Sequence, residues 1–253
     1  MLSQLKAESE SFLEHNSHIS RAVLSSLDAA ILSTEEISDV FDYLQMQNLM
    51  VQPDGRYRFY DASAAYAGFN RGLCQSYTKP YECQEEELKF SSEVLLHLDF
   101  SDAALSMTRI KLTKAMNWGP TRAFVIPDLG FAAVEQRKQA LFEEIGERIR
   151  IFVQNYIPQI TSLILTGTAA SDQRFVDAVK GALLDLISVE TMESFIIHVN
   201  TASDTDLIFA TAKGAAEVAK RSQEGPVRCE WSDGCKKTLA QIRNYTNVER
   251  LEL

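Results

Sequence analysis

The sequence predicts an α/β protein: a mixed sheet with flanking helices, preceded by a helical N-terminal segment. Three observations predict it. The stretch EVLLHLDF, residues 93–100, is a continuous apolar run with the length of a buried strand. ALSMTRIKLTKAM alternates just after Ser101-Asp102, so the two runs read as a hairpin. Beyond it, strand-like runs alternate with helical periodicity, giving the order β-β-β-α-β-α-β-α over 93–221.

The elements follow in chain order. Residues 3–15 and 19–31 each read as a helix, the second from Ile19, Val23, Leu24, Leu27 and Ile31. STEEISDVFDYLQ opens with a capping box, Ser33 with Glu36, and buries Ile37, Val40, Phe41 and Leu44. Pro53-Asp54-Gly55 is a turn between alternating residues, hence a hairpin. Residues 1–60 so form a helical segment with a hairpin. The acidic helix argues for packing or dimerisation rather than DNA binding.

DASAAYAGFNRGL reads as a helix with a small face, Ala62, Ala65 and Gly68. CQSYTKPYECQEEELKF reads as an acidic loop. Ala123–Ile126 is a short strand that ends at Pro127-Asp128. Residues 131–156 carry the longest helical pattern, from Phe131 to Tyr156. A strand at 161–166, a helix near 171–187, a strand at 195–199 and a helix from about Asp204 to Arg221 complete the α/β part. Residues 224–253 read as a polar tail, with a short helix near Lys236 to Asn244.

Composition narrows the function. The chain has 253 residues, 45% hydrophobic and 24% charged, which is ordinary for a globular protein. A net charge of −10 argues against nucleic acid, which needs clustered Lys and Arg. No apolar run reaches the length of a membrane span. The polar, acidic start MLSQLKAESESFLEHN resembles neither a signal nor a transit peptide, so a cytoplasmic location is expected.

The cysteines fall in two pairs, Cys74/Cys83 and Cys229/Cys235, without C-x-x-C spacing or a nearby His, so no metal site is expected. Free thiols are the plain reading; a local Cys74–Cys83 bridge is allowed but not required. His97 and His198 sit in apolar runs and read as core histidines. No Gly-x-Ser-x-Gly elbow and no Gly-x-Gly-x-x-Gly after a strand is present.

Three constellations remain. In LDFSDAALS, Asp99 ends a strand, and Ser101 and Asp102 form the turn. A hairpin that grips phosphate wants glycines there. In LILTGTAAS, Thr166, Gly167 and Thr168 join a strand to a helix, whose N-terminal N–H groups suit an anion. In FATAKGAAEVAKRSQ, Ala210, Gly214 and Ala215 share a helix face made for close packing.

In this order these segments resemble the second half of the actin/Hsp70/sugar-kinase ATPase fold, which is ribonuclease H-like. LDFSDAALS stands at its second phosphate loop, LILTGTAAS at its adenosine segment and FATAKGAAEVAKRSQ at its second connecting helix. DASAAYA resembles the acidic lead of an Hsp70 helix, with Ala62 where Pro is usual. AAYAGFNRGLCQSYT, LHLDFSDAALS, LILTGTAASDQRFVDAVKGAL and FATAKGAAEVAKRSQ together are similar to a group of fungal actin-like ATPase-domain, Hsp70-like proteins. The resemblance covers roughly residues 60–223, so 61–223 is the degenerate ATPase half.

The departures shape the expected function. The first phosphate loop, Asp-x-Gly-Thr-Thr, has no counterpart. Ser101 and Ala103 replace glycines in the second loop, and Thr168 replaces a glycine in the adenosine segment. Only Asp99 keeps the family's acid. ATP hydrolysis, which needs two loops converging on Mg²⁺, is not expected, and neither is a cofactor.

The resemblance to small fungal Hsp70-like proteins of terpenoid pathways, a class with a Diels–Alderase-type role, implies a repurposed cleft. It would bind a small apolar metabolite and template its cyclisation by preorganisation, an effect worth up to ~7–11 kcal/mol. Ligand contacts are then expected from Asp99, Ser101, Asp102, Thr166, Gly167, Thr168, Tyr66, Trp118, Arg122 and Phe124, with no catalytic residue singled out. The alternative is a pseudo-ATPase acting as a protein-interaction module. Its helical N-terminus would pair as a homodimer or dock a partner, and its acidic loop, Glu82 to Leu88, suits a basic one.

Overall fold

The computed structural model describes residues 2–12, 18–26, 33–50, 59–116, 121–154 and 159–225. The hairpin read at Pro53-Asp54-Gly55, the Cys229/Cys235 pair and almost all of the polar tail, with its helix near Lys236, lie outside these residues.

After α1 (Leu2–Phe12), the helix expected over 19–31 does not form across 18–26. Instead β1 (Arg21–Ala22) pairs in parallel with β2 (Gln47–Asn48), and Ser26 bridges Tyr60. Backbone groups of this stretch are spent across the chain: Gln47 and Leu49 donate to Ser20 and Ala22, and Ser26 donates to Phe59. Tertiary pairing satisfies the peptide groups and overrides the helical spacing. Between the two strands, α2 (Thr34–Tyr43) begins with the capping box: Glu36 N–H donates to Ser33 Oγ at 3.2 Å, and Ser33 N–H to Glu36 Oε2 at 2.6 Å.

The short helix α3 (Asp61–Gly68) is buried along nearly its whole length. The acidic segment after it is a helix rather than a loop, α4 (Pro80–Glu87). Pro80 occupies the first helical position, where its missing N–H costs nothing. Glu86 folds back to accept the N–H groups of Gln75 and Ser76, Glu87 pairs with Lys114, and Glu82 pairs with Lys79. Three of the acidic groups are therefore used within the fold.

The central sheet has the order β5-β4-β3-β6, from β3 (Glu93–Phe100), β4 (Leu105–Leu112), β5 (Thr121–Ile126) and β6 (Ser162–Thr166). β3 is antiparallel to β4 and parallel to β6, and β4 is antiparallel to β5. The expected mixed sheet with flanking helices is therefore present.

The helical pattern over 131–156 is broken. A 3₁₀ turn at Phe131–Ala133 leads to α5 (Val134–Arg137). Lys138 then takes a φ of +50°, and α6 (Gln139–Gln154) runs on alone. Here the 131–133 turn is tied to the β3–β4 turn, Phe131 and Ala132 donating to the Ser101 and Asp102 carbonyls, so the chain must swing before α6 can lie on the sheet. α7 (Gln173–Leu183) follows β6.

The strand expected at 195–199 is instead part of α8 (Val189–Thr201). A five-residue apolar run cannot tell a buried strand from a buried helix. Ser188, whose Oγ accepts the Thr191 N–H, starts the helix. His198 thus lies on a helix, not a strand. α9 (Asp204–Glu224) closes the described chain and is its longest helix.

Strand alternation splits the core into two layers. On one face Leu96, Leu98, Phe100, Leu105, Met107, Leu163 and Leu165 pack with α6 and α7. On the other, Leu95, Ile110, Leu112 and Ile164 pack with the alanines of α3 and with Ala215 and Val218 of α9. α3 and α9 touch backbone to backbone. A β-carbon on Gly68 would run into the Ala210 carbonyl, and one on Gly214 into the Ala64 carbonyl. The small faces read from the sequence serve this crossing. Among the described residues no helix is long and apolar enough to cross a membrane.

Candidate functional site at the strand ends

Residues 93, 95, 97 and 99 of β3 face α3 and α9, as do Ser106 and Thr108 of β4 and Thr166 of β6. The register sets Asp99 beside both Ser106 and Thr166, and His97 beside Thr108. The result is a polar cluster in an otherwise apolar layer. Thr166 Oγ1 donates to Asp99 Oδ2 at 2.7 Å and lies 2.8 Å from His97 Nε2. Because the single Thr166 proton goes to the carboxylate, His97 Nε2 is the donor in the second bond. His97 Nδ1 then faces Asp61 Oδ2 of α3 at 3.8 Å.

Burial sets the chemistry. His97 is 1% exposed and Thr166 likewise. Burial raises the Asp61 carboxyl above its usual range, and the nearby Asp99 adds to this, while His97 and the Ala62 N–H pull the other way. Thr108 Oγ1 and Ser63 Oγ, both buried in this layer, have no hydrogen-bond partner among the described residues. Thr166 spends its proton on Asp99 and is closed to solvent, so it is no nucleophile. His97 is a core histidine whose bonds tie β3 to β6.

Of the ligand contacts expected from the sequence, Asp99 and Thr166 come together here. Ser101 and Asp102 lie just beyond, and Gly167 and Thr168 continue from β6. Tyr66 is buried near the opposite end of β3: Arg71, 5.0 Å from its ring, pairs with Glu93. Six strand residues, about 20 Å, separate Glu93 from Asp99. Burial and the Glu93 charge push the Tyr66 phenol up to about 12. Arg122 and Phe124 lie on the other face of the sheet, near Phe152 of α6. They cannot line one cavity with Asp99. Trp118 lies outside the described residues.

Asp61 and His97 escaped the sequence-based list of contacts. The alternation of His97 and Asp99 along one strand face was a usable signal. The packing of Asp61 against them was not.

The two loops to which the sequence resemblance assigns a nucleotide spend several of their N–H groups on the chain itself. In the β3–β4 turn, Ser101 N–H donates to the Ala104 carbonyl, and Ala104 N–H to Ser101 Oγ. The 131–133 turn covers the turn's carbonyls, and a β-carbon on Gly130 would strike the Asp102–Ala104 backbone. After β6, Gly167 N–H donates to Leu207, Ala169 N–H to Phe100 and Ala170 N–H to Gly167. Gly167, at φ +109°, lies against the Phe100 backbone, so its missing side chain serves strand packing rather than a ligand.

At the start of α7, Asp172 accepts the Arg174 N–H and also holds the Arg174 guanidinium, which keeps its carboxyl low. A carboxylate thus already sits where an anion would bind. A triphosphate with Mg²⁺ does not fit these residues. Among the described residues only Cys74, Cys83 and Glu87 bring three ligand atoms together, and the two sulfurs are joined in a disulfide.

No family model matches this chain, and no curated protein matches it. Among solved structures, the ethanolamine utilization protein EutJ from Carboxydothermus hydrogenoformans is similar to it. The two share 12% identity at a TM-score of 0.46, over 85% of this chain and 71% of that one.

Proposed function

We propose that this chain is an actin/Hsp70-like scaffold that works without ATP, as a protein-interaction module. The observation that carries this reading is how both loops use their N–H groups. The N–H groups of Ser101, Ala104, Gly167, Ala169 and Ala170 are spent on the chain's own oxygens, and Asp172 caps the helix that would receive an anion. A site that grips phosphate needs those donors unspent.

The templated cyclisation of a small apolar metabolite has less support. It needs an apolar pocket, whereas Asp99, Ser101, Asp102 and Thr168 make the strand ends polar. Apolar surface nearby is instead outward-facing. Ile208 and Phe209 follow Leu207, whose carbonyl holds Gly167, and both are exposed. They offer a protein partner an apolar foothold on the rim. The acidic segment is a weaker docking site for a basic partner, because its carboxylates are engaged internally.

Two measurements test the reading. Millimolar ATP·Mg²⁺ is expected to leave the melting temperature unchanged; a rise of several degrees would revive the nucleotide site. A photo-crosslinking residue at Phe209 is expected to capture a protein partner in cells, while one at the exposed Glu147 on α6 does not. Equal capture at both positions, or capture of small molecules alone, overturns the interaction role.

A further inference from the structure

We propose that the Cys74–Cys83 disulfide is a reversible thiol-exchange site whose closed form clasps the C-terminal turn of α9. The inference is independent of the fate of the nucleotide site. The two cysteines stand nine residues apart, with Cα atoms 5.2 Å apart, and the bridge joins α4 to the segment that leaves α3. That segment holds α9. The Arg221 guanidinium donates to the Cys74 carbonyl, and the Tyr77 hydroxyl donates to Glu224 at 2.6 Å. The Tyr77 ring lies 4.6 Å from the Arg221 guanidinium and 5.9 Å from the Lys220 ammonium. On the other side, Glu86 ties α4 back to Gln75 and Ser76, and Lys114 ties Glu87 to the end of β4. Residues 74–87 are thus a strap between the sheet and the last turn of α9, and the disulfide is its one covalent closure.

The two sulfurs differ in access. Cys74 is 5% exposed, whereas Cys83 is half-buried on the outer helix. An external low-molecular-weight thiol, of the glutathione class, therefore attacks Cys83 Sγ as its thiolate. The Cys74–Cys83 bond breaks, Cys74 leaves as a thiolate and takes a proton, and Cys83 carries the mixed disulfide. A second external thiolate attacks the external sulfur of that mixed disulfide. Cys83 leaves and is protonated, and the two external thiols depart joined as their disulfide. Two electrons and two protons pass to the protein.

The Glu87 carboxylate lies within 4.8 Å of both sulfurs. Glu87 is itself paired with Lys114, so opening the bridge alters the surroundings of the ion pair that anchors the strap beside β4.

The full chain is equilibrated in glutathione buffers from oxidising to reducing, alkylated and peptide-mapped, with hydrogen exchange measured on the same samples. The Cys74–Cys83 bridge is expected to open across the range. Exchange over 75–88 and 217–225 then rises about ten-fold while the β3–β4 hairpin is unchanged. A bridge that stays closed at the most reducing poise, or exchange that is the same in both states, overturns the proposal. Cys83→Ser is expected to reproduce the reduced pattern; should it not fold, the wild-type reduction series decides.

Discussion

Nδ1 of His97 lies 3.8 Å from Oδ2 of Asp61, across the seam between the sheet and α3. Asp61 is held there against its own burial, which raises its pKa above the ordinary 3.8. A raised carboxyl contributes stability that is present below the unfolded-state value and is lost as pH rises through the folded one. Asp61→Asn, which keeps an acceptor for the Ala62 N–H, escapes that loss. The stability of the variant relative to wild type is therefore expected to increase from acid toward neutral pH and then level off, as read by urea melts along a pH series. A wild type that gains on the variant over that range would refute the assignment.

The Thr166 hydroxyl links His97 to Asp99. Thr166→Val keeps the shape and removes the link, leaving the buried His97 and the half-buried Asp99 each short of a partner. A loss of about 1–3 kcal/mol is expected in denaturant unfolding, with Thr166→Ser recovering most of it. An equal loss in both variants would place the effect in packing instead.

Gly214 and Gly181 are both helical glycines, yet their substitutions are expected to have opposite signs. A β-carbon at Gly214 collides with the Ala64 carbonyl, and α3 and α9 must move apart. At Gly181 nothing lies within 4 Å of that position. Gly214→Ala is expected to cost about 1–3 kcal/mol or more. Gly181→Ala is expected to stabilise by about 0.5–1 kcal/mol through helix propensity. Thermal melts of the two single variants check the contrast.

Lys138, at φ +50°, bears the turn between α5 and α6. A side chain there is strained, and glycine is not. Lys138→Gly is expected to raise stability by about 1 kcal/mol, provided the Lys138 N–H keeps its bond to the Val134 carbonyl. A destabilised variant would mean a continuous helix through this point.

Much of the sheet was legible because β3, β4 and β6 are apolar runs bounded by polar turns, and α9 because its small residues recur on one face. The capping box at Ser33 and Glu36 located α2 directly. What failed were short stretches decided by distant partners. Residues 19–26 look helical until their peptide groups are matched to 47–49 and 59. The acidic residues 82–87 look like a solvated loop until Glu86 and Glu87 find Gln75, Ser76 and Lys114.

Within the candidate site, Asp99 and Thr166 were readable as strand ends. Grouping Arg122 and Phe124 with them failed, because sequence order does not say which face of a four-stranded sheet an edge residue takes. Gly167 was read as an opening for a ligand, whereas the Phe100 backbone fills that space.

β6 forms one margin of the sheet, is buried along its whole length, and has α8 and α9 against it. Among the described residues, β5 is the other margin, with Phe124 and Val125 exposed along it. Accretion of further chains by strand pairing needs an open lip on both sides of each unit. Among the described residues the central sheet leaves one such lip, and two molecules joined through β5 would consume it.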